Sequence, residues 1–331
     1  MNNYQEALTE AARFMKAHDR FLIVSHVNPD GDTTSSALAT ALLLEQAGKS
    51  YVIVNEGETP SKFGFLPRFE RILNLSADSL EERFDAVIAV DAADARRMGE
   101  VRHLFAPNAR ILNIDHHPTN DFFGTVNVIR TDAAATAEIM FEVMEAGGFA
   151  CTPELATCLY TGLLTDTGGF RYSNTTSHVM EIAAKLLRCG VKPGEIAERC
   201  LEEITLKHVQ VLRRALQSLK LTHRNQVASL KISHADLCET GATSEDASGL
   251  VNYGRNIEGV EVGISFCEPE PGVVKVSFRA RAHVDVAQIA KSFGGGGHAK
   301  AAGCTLKGEL AAIEEQVLAK LSEVLGVGVH E

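Results

Sequence analysis

The sequence predicts an α/β protein. Its N-terminal part is an open, mostly parallel sheet flanked by helices, linked by a long helix to a smaller α/β C-terminal domain. Three observations carry this. Short aliphatic runs alternate with helical patterns, the grammar of βαβ units. Each run ends in acid or histidine, where open α/β sheets place their ligands. After Leu219 the texture changes to shorter, closely spaced strand patterns. A length of 331 residues suits about two domains. The expected boundaries are 1–190, a linker over 191–222, and 223–331.

The elements follow in order. Residues 3–17 read as an amphipathic helix. Phe21-Leu22-Ile23-Val24 is a buried strand ending at Ser25-His26. Asp30-Gly31-Asp32 is a turn, and residues 33–47 form a helix stopped at Gly48. Strands follow at 51–54, 86–90 and 110–114, the last two delivering Asp91 and Asp115-His116-His117. Helices are expected at 133–147, 153–164 and 176–189. Residues 193–218 read as one long helix. The C-terminal part has strands at 227–232, 259–266 and 273–279, and helices at 244–253, 285–292 and 308–325.

Composition narrows the class. Apolar residues make up 45% and charged residues 23%, so a packed core is affordable and wholesale disorder is excluded. The aliphatic runs fall far short of the ~18–20 residues of a membrane span. The polar, acidic start lacks the pattern of a secretory signal. A cytoplasmic location is expected. The net charge of −11 argues against sequence-independent binding of long duplex nucleic acid. It leaves room for a small anion in a cleft whose sign is inverted by metal ions. The seven cysteines form no Cys-x-x-Cys pair, so a zinc ribbon or a disulfide framework is not supported.

Four clusters carry the chemistry. The first is His26-x-x-x-Asp30-x-Asp32, where Asp32 also suits a cap of the 33–47 helix. The second is Asp91, the third Asp115-His116-His117, and the fourth Thr165-Asp166-Thr167-Gly168-Gly169. Two adjacent histidines point in different directions, so one can ligate while the other moves protons. Five carboxylates in one cleft repel unless cations neutralise them. The donors are oxygen and imidazole without sulfur, which favours Mn²⁺ first, with Mg²⁺ as the alternative. So many ligands exceed one ion's needs. Two divalent ions about 3.5–4 Å apart are expected, a pairing suited to phosphoester hydrolysis.

In the C-terminal part, Gly294–Gly297 before His298 allows close backbone approach, and its N–H groups suit a phosphate. Strand alternation puts Ser277, Arg279 and Arg281 on one face. Arg171 and Tyr172, just after the fourth cluster, are candidate contacts to a phosphate or base. His18, His103, His178, His208, His223, His234, His283 and His330 have no motif context and read as surface or packing residues.

These motifs resemble the DHH phosphoesterase superfamily. The four clusters match its ordered motifs, and Gly294-Gly-Gly-Gly-His298-Ala-Lys-Ala-Ala-Gly303 matches its associated substrate-binding domain. The resemblance spans about residues 20–303 and is nearest to the short RecJ-like branch. It implies a metal-binding catalytic domain over 1–190 and a substrate-binding domain over 223–331. His26, Asp30 and Asp91 are implied for one ion, and Asp32, Asp91, His116 and Asp166 for the second, with Asp91 bridging. His117 is implied to contact the scissile phosphate and help protonate the leaving group. Asp115 would orient a histidine. Among the substrate-binding candidates Ser277, Arg279, Gly295, Gly296, Gly297, His298 and Arg171, Arg279 is the strongest by resemblance. Thr33-Thr34-Ser35-Ser36 stands where many members are more apolar. That departure is expected to touch no ligand.

The implied activity is hydrolysis of short oligoribonucleotides, including dinucleotides such as pApA or pGpG, to mononucleotides. Some members of this branch also dephosphorylate 3′-phosphoadenosine 5′-phosphate, so the resemblance implies that activity beside it. The substrate is expected to span both lobes. Short single-stranded RNA is therefore the expected partner, no membrane is expected, and a homodimer is admitted. The alternatives are a cyclic-dinucleotide phosphodiesterase and, from another class, an inactive nucleotide sensor. The intact ligand set disfavours the sensor.

Overall fold

The central strands of the first sheet are buried on both faces, which explains their unbroken aliphatic runs. In β1 (Arg20–Val24), Phe21 and Ile23 join one core and Leu22 and Val24 another. Each such side chain contributes about 1.5–3 kcal/mol by leaving water. The structure is a computed structural model describing residues 2–78 and 80–328, so His330 lies outside the described residues. The chain divides into two units, Met1–Glu203 and Ile204–Glu331. Among the described residues, no helix is long and apolar enough to cross a membrane.

The first unit begins with α1 (Asn2–Ala17), β1, α2 (Gly31–Gln46) and β2 (Ser50–Asn55). Then come β3 (Ile72–Asn74), β4 (Phe84–Val90), a 3₁₀ segment over Ala95–Leu104, β5 (Phe105–Asp115) and β6 (Val126–Ile129). It closes with α3 (Thr136–Gly147), α4 (Pro153–Asp166), α5 (Ser177–Arg188) and α6 (Pro193–Ala197). All strand pairs are parallel, in the order β3-β2-β1-β4-β5-β6. From β1 the chain builds outward to β3, then returns to lay β4 on the other side of β1. The β1–β4 border is therefore the topological switch point, and ligands bind beyond the carboxyl ends there. His26 and Asp91 follow those two strand ends.

The second unit contains α7 (Leu206–Gln217), β7 (Lys220–Thr222), β8 (Val227–Ile232), α8 (His234–Thr240), α9 (Val251–Arg255) and β9 (Val262–Glu270). It continues through β10 (Val273–Ala280), α10 (Val286–Ser292), β11 (Gly296–His298), β12 (Ala301–Lys307) and α11 (Leu310–Leu325). Its sheet is mixed, ordered β11-β12-β10-β9-β8-β7, with only β8 and β9 parallel. Val274, Val276, Phe278 and Ala280 alternate into one core with α10 and α11, so intervening residues face the other way.

Two expected helices differ. Residues 193–218 are not one helix: α6 runs into a π-turn over Glu198–Glu202, and Glu203 turns extended with ψ 126°. Thr205 then caps α7 by accepting from the His208 N–H at 2.9 Å. The 244–253 segment is mostly turn, with Gly249 at φ 79°, and only Val251–Arg255 is α-helical.

Candidate metal centre

The α2 N-terminus forms the floor of the site. Asp30 is its cap, accepting from the Thr33 N–H at 3.1 Å. Asp30-Gly31-Asp32 is thus a helix start rather than a free-standing turn. Asp32 does not cap α2. Its carboxylate instead accepts from Thr136 N at 2.6 Å and Ala137 N at 3.0 Å, at the start of α3. Two glycines permit this convergence of helices. A Cβ on Gly31 would meet the Thr165 side chain at 2.5 Å, and one on Gly162 would meet Asp32 Oδ1 at 2.8 Å.

Asp91 occupies the centre. It is 2% exposed and adopts the left-handed conformation with φ 57°, its N–H donating to Ile114 O at 2.9 Å. Its Oδ2 lies 3.5 Å from His26 Nε2, and its Oδ1 lies 3.6 Å from His116 Nε2. Both imidazoles are anchored through Nδ1, to Val27 O at 2.8 Å and to Ala133 O at 3.2 Å. Anchored this way, each ring turns Nε2 toward Asp91.

Asp91 joins three groups of candidate ligands, one of them with Asp115 and His117. His26, Asp30 and Asp91 bring three donor atoms within reach of one cation, and Asp32, Asp91 and His116 do so for another. Asp91 is shared by these two triads. Asp166, the last residue of α4, sits at the rim, with Oδ2 3.7 Å from His116 Nε2.

The electrostatics fit cations. Burial, with the Asp91 and Asp166 charges added, holds the Asp32 carboxyl well above the carboxylate range. Burial also raises Asp166, helped by Asp30 and Asp91. Burial opposes ionisation of Asp91 too, but the imidazoles of His26, His117 and His116 outweigh it and hold this carboxyl well below the ordinary range. Burial draws the His26 imidazole down, yet Asp91 and Asp30 outweigh it and push it up to about 9. Oxygen and imidazole donors around a shared carboxylate fit divalent ions of the Mn²⁺ or Mg²⁺ kind.

Beside the triads, His117 Nδ1 donates to Asp115 Oδ1 at 2.7 Å. Asn120, which sequence reasoning missed, donates to Asp115 Oδ2 at 2.7 Å and to Ala92 O at 3.2 Å. A second miss is Thr33. The expectation that the Thr33–Ser36 departure touches no ligand is overturned. Thr33 Oγ1 lies 2.7 Å from His26 Nε2, 2.9 Å from Asp30 Oδ1 and 2.6 Å from Asp91 Oδ2. Its hydroxyl, three residues past a candidate ligand at the start of a helix, was the available signal.

Arg171 is exposed, and its Nε donates to Gly168 O at 2.6 Å. In the second unit, cross-strand register aligns Ser277 with Gly303 and Gly296, and Arg279 with Ala301 and His298. Cross-strand partners share a face, so Ser277, Arg279, Gly296 and His298 lie together on the face opposite the α10–α11 core. The glycine run departs from the expected loop of open N–H groups. Gly294 and Gly295 donate to Lys291 O and Ala290 O at the end of α10, and Gly296 and Gly297 enter β11. A Cβ on Gly295 would meet Gly303 O at 2.1 Å, and Gly297 has φ 135°, so both glycines answer to the hairpin's own geometry.

The profile of the DHH family's N-terminal domain matches residues 20–163, and that of the DHHA1 domain matches residues 224–326. The bifunctional oligoribonuclease and PAP phosphatase NrnA of Thermus thermophilus is 34% identical over 97% of this chain and 95% of its own length. The Bacillus subtilis protein of the same name is 28% identical over 90% of this chain and 93% of its own. The fold is shared with an exopolyphosphatase-related protein from Bacteroides fragilis, at a TM-score of 0.88 and 24% identity, covering 97% of this chain and 98% of that one. With both domains matched in order and a relative of this identity aligned almost end to end, the chain belongs to the DHH family.

Proposed function

We propose that the chain is a divalent-metal-dependent phosphodiesterase that hydrolyses short oligoribonucleotides to mononucleotides and also dephosphorylates 3′-phosphoadenosine 5′-phosphate. The observation that carries this is Asp91, one buried carboxylate shared by two ligand triads. The names of the Thermus and Bacillus relatives supply the substrate class.

His26, Asp30 and Asp91 would hold one ion and Asp32, Asp91 and His116 the second, with Asp166 completing the latter from the rim. Divalent ions bound there would polarise a phosphoryl oxygen and acidify water, with Mn²⁺ the first expectation. The chain's residues do the rest. Nδ1 anchoring of His26 and His116 presents Nε2 as the donor atom. Asp115, braced by Asn120, fixes the His117 ring with its proton on Nδ1. With Nδ1–H held by Asp115, the imidazolium form of His117 gives its Nε2 proton to the departing oxygen and is left as the neutral ring. Arg279, on the face of the second sheet opposite the α10–α11 core, is the proposed clamp for another phosphate of the substrate, with Ser277, Gly296 and His298 beside it. Seven unpaired cysteines are in keeping with a reducing compartment, and we place the activity in the cytoplasm.

One turnover panel with Mn²⁺ tests this reading: pApA, pGpG, a 5-mer RNA, a 5-mer DNA, cyclic di-AMP and 3′-phosphoadenosine 5′-phosphate. Release of mononucleotides from pApA and the RNA 5-mer, with phosphate from 3′-phosphoadenosine 5′-phosphate, is expected. Turnover of cyclic di-AMP alone, or of nothing in the panel, overturns it.

A further inference from the structure

The hydroxyl of Thr33 poses a proton-counting problem. It carries one hydrogen, yet two carboxylate oxygens, Asp30 Oδ1 and Asp91 Oδ2, lie 2.9 and 2.6 Å from its oxygen. It can donate to only one of them. With both carboxylates ionised, the hydroxyl turns a lone pair toward the other oxygen. The third neighbour, His26 Nε2 at 2.7 Å, does not relieve that contact even when it donates. At 2.6 and 2.9 Å no water fits between the oxygens.

A shared cation reconciles them. Neighbouring oxygens in an octahedral shell with bonds of 2.0–2.1 Å lie about 2.8–3.0 Å apart. The three Thr33 contacts, 2.6 to 2.9 Å, are of that size, and they go to the three residues that form one ligand triad. We propose that Thr33 Oγ1 is a fourth protein ligand of the ion held by His26, Asp30 and Asp91. It adds an uncharged oxygen to a site already rich in charge, and it belongs to one triad only.

This inference rests on the two-ion reading above, so the test separates the two. Mn²⁺ binding to the purified full chain is measured by calorimetry and by electron paramagnetic resonance, for wild type, Thr33→Val and Thr33→Ser, with circular dichroism to check folding. Wild type is expected to bind two ions. Thr33→Val should bind one with unchanged affinity and the other weakened on the order of tenfold or more, and Thr33→Ser should restore both. Two ions bound by Thr33→Val at wild-type affinity would overturn the Thr33 assignment alone. Equal weakening of both ions would overturn it as well, because Thr33 would then be acting through the shared Asp91. Fewer than two ions on wild type would remove the two-ion reading and this inference together. If Thr33→Val does not fold, Thr33→Ala provides the same comparison.

Discussion

His117 and Asp115 form a closed pair, Nδ1 to Oδ1 at 2.7 Å, and Asn120 holds the far oxygen of the same carboxylate at the same distance. The ring is oriented by a buried acid. His117→Ala should therefore lower kcat by about 10²–10⁴ while Mn²⁺ content stays near wild type. Asp115→Asn can offer an N–H to the ring and favour the wrong tautomer, so kcat should fall with little change in KM. Metal analysis beside steady-state kinetics decides. Loss of metal in His117→Ala would move this residue into the ligand set.

Asp91 serves both triads, so its loss should not resemble loss of a single-triad ligand. Asp91→Asn should abolish turnover and weaken both ions, whereas Asp30→Asn should weaken one. Calorimetric titration with Mn²⁺ gives the two stoichiometries, and an Asp91→Asn protein that still binds either ion normally would refute the bridging role.

Gly31 is required by the approach of α2 to α4. Gly31→Ala places a Cβ 2.5 Å from the Thr165 side chain, whose own Cβ is only 2.7 Å away, so a rotamer change cannot relieve the clash. Overpacking of this kind costs about 1–3 kcal/mol, and the shift displaces Asp32. A lower thermal midpoint together with reduced Mn²⁺ affinity is expected. A melting curve superimposable on wild type would show that the helices separate freely.

Arg279 lies on the face of the second sheet opposite the α10–α11 core, in the unit that does not carry the ligand triads. Arg279→Ala should raise KM for pApA more than it lowers kcat, because it removes binding to a part of the substrate that does not react. An unchanged KM would take it out of the substrate site.

His223 gives a pH signature independent of catalysis. Burial lowers its pKa, with a weaker opposing contribution from a backbone hydrogen bond with Leu318. Its ring nitrogens face Thr222 Oγ1 and Ser322 Oγ. The folded protein thus holds this proton less tightly than the unfolded chain. The stability contributed is present above the unfolded value of about 6.5 and is lost as pH falls through it toward the lower folded value. Between pH 7.5 and 5.5, the thermal midpoint of wild type should drop more than that of His223→Gln. Parallel drops would exclude His223 as the source.

Much of the centre could be read in advance because buried parallel strands write themselves as continuous aliphatic runs. Where each run stops, the next polar residue sits at the sheet's carboxyl edge, and His26, Asp91 and Asp115-His116-His117 were found that way. Contacts between elements distant in sequence leave no such trace. Nothing in the periodicity showed that Asp32 would serve the α3 N-terminus, that Asn120 would brace Asp115, or that Thr33 would reach three ligands. Short strands such as β3, β6 and β11 carry too few residues to show alternation. The break after Glu202 was hidden because Leu201, Ile204 and Leu206 keep an apolar rhythm through a segment whose backbone leaves the helix at Glu203.

The positive φ of Asp91 restricts what this centre can become. Only glycine, asparagine and aspartate enter that backbone region readily. An inactivated lineage, or a laboratory variant meant to trap substrate, therefore has two comfortable replacements at position 91. Asparagine preserves the carboxylate's outline without its charge, whereas alanine adds a conformational penalty to the loss of the ligand. A dead enzyme built on alanine would confuse a damaged scaffold with a missing ion, and one built on asparagine would not.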